Sequence, residues 1–424
     1  MPTPSPLARF AMASVASRSV FRRLGRVGSR CTSSWSSVPT PVTYGTPTST
    51  GTPEFDAVSE AATRIVVPDV AAHLRRHGYA VVDGALDGLI PGPKGSPPET
   101  LAETLRRELL ILASTPGVMQ PNSTVLVQPG GHQHRLEKRN VLEAEMHVLD
   151  TSVLASVPAL RAFAEDRSCL TLLNVMLPST SSQQLHHQVT KVQRNTGDGG
   201  CFPLHFDADP GVDARRITML TYLNPTWRHG DGGELVLFPF PMEAPVSITP
   251  KMGRVVLFAA QNMLHRVTPS SMENRLCFTQ WFFAKEKSAL ESDAERNDDA
   301  YEDDAGESLK SESDDDEDSN ISGSSDSVSR KFSKAAWSQA RELCRPHLRK
   351  HFSKVVFATR WAESIVESHP PSDARVSALS THHLEVTQIM RALAGKFPEG
   401  VKLVAHVAEN GTREQKNRLG VKWL

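Results

Sequence analysis

The chain has 424 residues, 47 of them lysine or arginine and 48 aspartate or glutamate, and its formal net charge is -1. This length predicts one or two folded units with tails, and the balanced charge gives no reason to expect a nucleic-acid partner or a membrane-surface partner. No run of about 18 apolar residues occurs and no Cys-x-x-Cys pair is present, which argues against a membrane-spanning helix and against a thiolate zinc site.

Residues 1–53 have the composition of a transit peptide followed by a linker. Arginines recur from Arg9 to Arg30 among many serines and threonines, and no acidic residue precedes Glu54. This pattern is typical of organelle import signals, so we expect a mitochondrial location, with a plastid or the cytoplasm as alternatives. The stretch before residue 53 is rich in Thr, Pro, Gly and Ser, which predicts a disordered linker.

A folded domain is expected over residues 65–285, with helices before strands. A helical run at Val70 and Leu74 leads into a short strand at Tyr79, and a leucine stripe at helical spacing follows at Leu101, Leu105, Leu109 and Leu112. Residues 189–284 then change to short strand-like segments: Ile217 to Leu223, Glu234 to Phe240, Val246 to Ile248, Arg254 to Phe258, and Arg275 to Phe283. Many short strands without intervening helices predict an antiparallel sandwich or barrel.

The C-terminal third contains two different kinds of sequence. Residues 286–330 are acidic and Ser-rich, and such like-charged runs predict a disordered linker; a partner-binding role for this linker is the alternative. Residues 331–424 are predicted to form a small helical appendage, with helical patterns over 335–366 and 384–393 that Pro370 and Pro371 separate.

The residues that carry chemistry are His205, Asp207, His265 and Arg275. Two imidazoles and one carboxylate form the ligand set that suits non-haem iron(II). Three ligands on one face of the ion leave its other coordination positions open. His205 and Asp207 are two residues apart, so near a strand end both project to the same face. Arg275 and Thr279 share a face of the last strand, where the guanidinium suits a carboxylate partner.

Alternative readings concern the remaining histidines and tryptophans. The pairs His132 with His134, His186 with His187, and His382 with His383 could suggest a second metal site, but each lacks a third ligand at useful spacing. We interpret them as loop or surface histidines. Trp227 and Trp281 are interpreted as packing residues.

Three segments of this region resemble the prolyl-hydroxylase branch of the 2-oxoglutarate oxygenases, and in particular the hypoxia-inducible-factor-type prolyl hydroxylases. The segments are ITMLTYLNPTW from Ile217, GGELVLFP from Gly232, and His265 to Trp281. The resemblance implies a mainly β fold, in which a double-stranded β-helix, or jelly-roll core, follows N-terminal helices. It implies that His205, Asp207 and His265 are the iron ligands and that Arg275 and Tyr222 hold the distal carboxylate of 2-oxoglutarate.

The same resemblance implies an oxidoreductase that uses Fe(II), 2-oxoglutarate and O2, with ascorbate as a supporting reductant. A peptidyl proline is the first candidate substrate, and another protein side chain or a small molecule is the alternative. A non-catalytic jelly-roll binding module is a further alternative. The family's second tyrosine has no counterpart here, because the loop from Asn195 to Gly200 occupies that place, and Gln193 is a candidate replacement.

Overall fold

The computed structural model describes residues 51–92, 96–127, 133–177, 183–208, 214–284 and 332–424. The predicted transit segment up to residue 50 and the acidic segment 286–330 lie outside the described residues. Among the helices that are described, none combines the length and the apolar character that crossing a bilayer requires.

An N-terminal layer of helices precedes the main strands. Its members are α1 (Pro53–Ile65), α2 (Pro68–His77), α3 (Leu101–Ser114), α4 (Thr151–Ala155), α5 (Pro158–Glu165) and α6 (Ser168–Met176). Because α1 begins at Pro53, the layer extends further toward the N-terminus than the domain start predicted at residue 65. The predicted leucine stripe lies in α3, where all four leucines are fully buried. A reciprocal capping box between Thr100 and Glu103 begins that helix.

The strands form two main antiparallel sheets. They are β1 (Tyr79–Val82), β2 (Leu89–Ile90), β3 (Glu99–Thr100), β4 (Gln120–Val127), β5 (Gln133–Glu145), β6 (Leu185–Asn195), β7 (Gly200–His205), β8 (Arg215–Tyr222), β9 (Leu235–Phe238), β10 (Val246–Ile248), β11 (Val255–Ala259), β12 (Leu264–Ser270) and β13 (Arg275–Ala284). The larger sheet has the order β1-β11-β8-β13-β6-β5-β4, the smaller has the order β10-β9-β12-β7, and β2 pairs with β3. This arrangement is the predicted jelly roll.

The central strands β11, β8 and β13 of the larger sheet are buried on both faces. On the outer face of the sheet, Phe278 packs edge-on against Phe163 of α5, with ring centroids 5.1 Å apart, within a core shared with the N-terminal helices. On its inner face, Val256 and Phe258 pack against Leu237 of the smaller sheet. Alternation along each strand therefore sends one set of residues to the helices and the other into the barrel.

The C-terminal region is helical, as predicted, with α7 (Lys334–Leu343), α8 (Pro346–Val356), α9 (Ala358–Ser368), α10 (Asp373–Lys396), α11 (Pro398–Asn410) and α12 (Arg413–Arg418). The run predicted over 335–366 is divided into three helices, in part because Pro346 cannot continue the helix before it. These helices cover the outer face of the smaller sheet, where Phe357 and Trp361 pack against Leu204 and Phe238.

Candidate metal centre and co-substrate pocket

The three predicted ligands converge in the smaller sheet. His205 ends β7 and lies directly opposite His265 of the neighbouring strand β12. The Oδ1 atom of Asp207 is 3.5 Å from Nε2 of His205 and 3.6 Å from Nε2 of His265. Among the described residues, these three form the one group of His, Cys, Asp and Glu side chains whose potential ligand atoms all lie within 4.8 Å of one another. The geometry fits a single metal ion.

Both histidines are oriented by backbone carbonyl groups. Nδ1 of His205 lies 2.8 Å from the carbonyl oxygen of Pro203, and Nδ1 of His265 lies 3.0 Å from that of Met263. A carbonyl oxygen can only accept, so Nδ1 of each ring carries the proton and donates it. The lone pair of each Nε2 is then available to a metal, which is the usual arrangement behind histidine ligands.

The second oxygen of Asp207 is held by the larger sheet. Its Oδ2 accepts a hydrogen bond from Thr218 at 2.5 Å and one from the Trp281 indole at 3.3 Å, which leaves Oδ1 facing the imidazoles. Trp281 therefore has a role beyond the packing that the sequence predicted, and the role of Thr218 was not predicted. The alternation of side chains along β13 could have indicated the role of Trp281, because this residue projects from the same face as Arg275 and Thr279.

The electrostatics of the cluster favour metal binding. Burial opposes ionisation of Asp207, but the adjacent His265 and His205 hold the pKa of that carboxyl well below its usual value. Desolvation and the neighbouring His265 lower the pKa of His205. Neutral imidazoles and an ionised carboxylate are the forms that bind metals. The side chain of His205 is 35% exposed, against 5% for His265, so the site opens on the His205 side.

Arg275 is a buried cation without an acidic side chain beside it among the described residues. It is 1% exposed, its Nε donates to the Gly233 carbonyl at 2.8 Å, and its Nη1 contacts the Cys277 sulfur at 3.6 Å. Gly233 has φ +76°, and a Cβ there would lie 2.6 Å from Cδ of Arg275, so glycine permits this packing. A buried guanidinium needs an anion, and a carboxylate co-substrate would supply it.

Tyr222 and Gln193 lie on the same inner face as Arg275. The Arg275 guanidinium lies 5.4 Å from the Tyr222 ring centroid, and the Tyr222 hydroxyl is buried with no hydrogen-bond partner in the described part of the chain. Burial raises the pKa of Tyr222, so the hydroxyl remains a donor. The Cys277 thiol contacts Gln193 Oε1 at 3.5 Å, and Thr279 is buried two residues further along β13. The unpaired hydroxyl and the buried cation fit the distal carboxylate of 2-oxoglutarate.

The other histidine pairs take part in packing rather than in a described ligand cluster. His187 stacks on Phe283 with centroids 4.3 Å apart, and His382 stacks on Trp361 and contacts the Ala358 carbonyl. His186 and His383 are exposed, as predicted. His382 is buried within α10, so the prediction of a loop or surface position was wrong for it, because its ring packs on Trp361 between two helices. His132 lies outside the described residues, and so do the side-chain contacts of His134.

Comparison with known proteins gives the class. Residues 188–283 match the family model described as the 2OG-Fe(II) oxygenase superfamily. A prolyl 4-hydroxylase structure from Phytophthora capsici is 26% identical, with a TM-score of 0.55, and the match covers 86% of this chain and 99% of that one. The chain is therefore a 2-oxoglutarate- and iron(II)-dependent dioxygenase.

Within that class, the chain resembles the prolyl 4-hydroxylase-like branch, to which the Phytophthora capsici structure belongs. Two more distant structures are a prolyl hydroxylase from Trichoplax adhaerens, in complex with a hypoxia inducible factor oxygen degradation domain peptide fragment, and a prolyl-4-hydroxylase from Pseudomonas putida. They are 21% and 19% identical, with TM-scores of 0.41 and 0.38. The first match covers 57% of this chain and 96% of that one, and the second covers 51% and 98%.

Proposed function

We propose that this dioxygenase hydroxylates an unactivated C–H bond of a peptidyl proline. In this proposal His205, Asp207 and His265 are the iron ligands, and Arg275 binds the distal carboxylate of 2-oxoglutarate. The observation that carries the proposal is the convergence of Oδ1 of Asp207 with the two Nε2 atoms, 3.5 and 3.6 Å away. When bound together, iron(II), 2-oxoglutarate and dioxygen supply the oxidising chemistry that converts a C–H to a C–OH and yields succinate and carbon dioxide.

The side chains around the site would divide the remaining work. Thr218 and Trp281 hold Oδ2 of Asp207, which would leave Oδ1 to bind the ion. Arg275 would neutralise the co-substrate, while Tyr222 would donate a hydrogen bond to the same carboxylate and Thr279 would offer a second hydroxyl. Because these groups are fixed before the co-substrate arrives, they require little rearrangement on binding.

Two observations support a proline substrate. The Phytophthora capsici structure, which matches 86% of this chain, is a prolyl 4-hydroxylase. In addition, an aromatic side chain lies beside the open side of the site. The Phe202 ring is 6.4 Å from the His205 ring and is half-buried. An apolar pyrrolidine ring can pack on such a surface while its C–H bonds approach the ion.

The test is oxygen incorporation that depends on Asp207. The purified chain is supplied with Fe(II), ascorbate, labelled 2-oxoglutarate and a set of proline-containing peptides, and succinate and peptide mass are measured. We expect succinate formation and a gain of one oxygen on proline. Asp207→Ala should show neither product, whereas Asp150→Ala should retain both, because Asp150 is an exposed residue whose side chain forms no cap hydrogen bond.

Two other results of this experiment would overturn different parts of the proposal. Oxygen on a different side chain or on a small molecule would overturn the proline assignment and leave the oxygenase chemistry in place. Equal succinate from the wild type and Asp207→Ala would overturn the proposed metal site.

A further inference from the structure

The segment that carries two ligands alternates between the barrel and the C-terminal helices. His205 and Asp207 face the site, while Leu204, Phe206 and Ala208 contact the helices outside the smaller sheet. The strand β7 is an edge strand and ends at His205, so Asp207 lies beyond its regular pairing. The sheet alone therefore does not fix this part of the backbone.

The first outside contact completes the free edge of β7. The Leu204 amide donates to the Ser364 hydroxyl of α9 at 2.9 Å, and that hydroxyl donates to the Trp361 carbonyl at 2.7 Å. Ser364 is fully buried. Without this oxygen the Leu204 amide would be buried without a partner, and such a group is costly.

The second and third contacts hold the residues on either side of Asp207. The Phe206 ring is 6.3 Å from the Trp361 ring, and the Lys350 ammonium lies 5.1 Å from the Phe206 centroid. The same ammonium donates to the Ala208 carbonyl at 2.7 Å. Lys350 thus contacts both neighbours of the carboxylate ligand.

The third ligand has a similar neighbour. Arg266 follows His265 on β12 and forms an ion pair with Glu367 of α9. Both ligand-bearing strands are therefore tied to the same helix.

We propose that the C-terminal helices are a positioning part of the metal centre, in which Ser364 and Lys350 fix the backbone that presents His205 and Asp207. This inference rests on the proposed function, because it takes those residues to be the iron ligands. Metal sites require ligands to be held within about 0.5 Å of their productive positions. Loosening the backbone should therefore weaken metal binding before it unfolds the chain.

The test compares two buried serines one turn apart on α9. Ser364 and Ser368 are both fully buried, but the Ser368 hydroxyl bonds locally, to the carbonyls of Ser364 and Ile365 and to the His369 ring. The dissociation constant for Co²⁺ is measured by spectroscopic titration of the full chain, and the melting temperature is recorded alongside. We expect Ser364→Ala to weaken Co²⁺ binding about tenfold, the lower end of the range for groups that orient ligands, and Ser368→Ala to leave it unchanged.

The outcomes separate this inference from the proposed function. Unchanged Co²⁺ affinity in Ser364→Ala, or equal loss in both serine variants, would overturn the positioning role. Asp207→Ala is included in the same titration, and if it binds Co²⁺ as tightly as the wild type does, the metal site itself is wrong. Loss in Asp207→Ala with no effect of Ser364→Ala would overturn only the positioning role.

A second pair of variants avoids changes in the buried core. Lys350→Met keeps the aliphatic stem but removes the donor to Ala208. Lys402→Met makes the same change on α11, where the ammonium pairs with the exposed Glu399. We expect about threefold weaker Co²⁺ binding for Lys350→Met only. Equal affinities in these two variants would contradict the role of Lys350.

Discussion

The two sheets of the barrel hold their polar residues in different ways. In the smaller sheet, His205 ends an edge strand and Asp207 lies beyond it, so helices outside the barrel complete the support. In the larger sheet, Arg275 and Tyr222 lie on β13 and β8, which pair along their length in the middle of seven strands. Two candidate metal ligands, His205 and Asp207, thus depend in part on contacts with distant helices, whereas the candidate co-substrate residues are fixed by sheet register.

This difference should separate two binding events. Variants behind the smaller sheet should change metal affinity, while variants on the inner face of the larger sheet should change 2-oxoglutarate affinity in protein that still binds metal. The site would be a single inseparable unit if every variant changed both affinities together.

The largest effect on co-substrate binding is expected from Arg275→Leu. The guanidinium is 1% exposed and has no acidic side chain beside it among the described residues, so the bound carboxylate would lose its buried partner. Such a loss costs about 3–4 kcal/mol, or roughly 100-fold to 1,000-fold in the dissociation constant. Calorimetric titration of 2-oxoglutarate into Co²⁺-loaded protein measures it.

A graded variant sharpens this prediction. Arg275→Lys keeps a charge but loses the planar fork that matches a carboxylate, so its loss should be intermediate. Unchanged 2-oxoglutarate affinity in Arg275→Leu would show that the carboxylate binds elsewhere.

The next effect concerns the N-terminal layer, which should influence stability and neither binding event. Glu108 of α3 accepts hydrogen bonds from the Ala159 and Leu160 amides, and burial raises its pKa from the ordinary 4.5 to about 7. The folded chain therefore retains this proton more strongly than the unfolded chain. The resulting stabilisation is full below about pH 4.5 and is lost as the pH rises through about 7.

In the Glu108→Gln variant residue 108 cannot ionise, so the variant should not lose this stabilisation as the pH rises. Relative to the variant, the wild type should lose roughly 2–3 kcal/mol of unfolding free energy between pH 4.5 and pH 8. Denaturant titrations of both proteins across this range provide the comparison. Parallel stability curves would contradict the prediction, while the Co²⁺ and 2-oxoglutarate affinities should not change.

The ligands could be predicted from the sequence because iron chemistry restricts both residue type and spacing. His205 and Asp207 satisfy a short-range rule, and Arg275 follows from the parity of one strand. The donors to Asp207 could not be found in this way, because the register that brings Thr218 and Trp281 to it joins segments far apart in the chain. The contact of Ser364 with Leu204 is more distant still.

The fold was likewise predictable where apolar periodicity was strong. The strands from β8 to β13 and the helix α3 show clear patterns, but β5 reads QHRLEKRNVLEAE and lacks them. Its charged residues are accommodated because Glu143 pairs with the buried Lys191 of β6 at 3.0 Å. That pairing is a property of the assembled sheet and not of either segment alone.

The smallest effect is expected from Tyr222→Phe, which tests whether the register of the larger sheet delivers a specific donor. The hydroxyl is buried and has no hydrogen-bond partner among the described residues, so a bound carboxylate would be its natural acceptor. Removing one such hydrogen bond costs about 1 kcal/mol, or roughly fivefold in 2-oxoglutarate affinity. Tyr79→Phe is the matched control, because the Tyr79 hydroxyl bonds Glu243 at 3.4 Å. If Tyr222→Phe instead bound 2-oxoglutarate as well as the wild type but gained stability, the hydroxyl would be an uncompensated buried group, and Arg275 alone would carry recognition of the carboxylate.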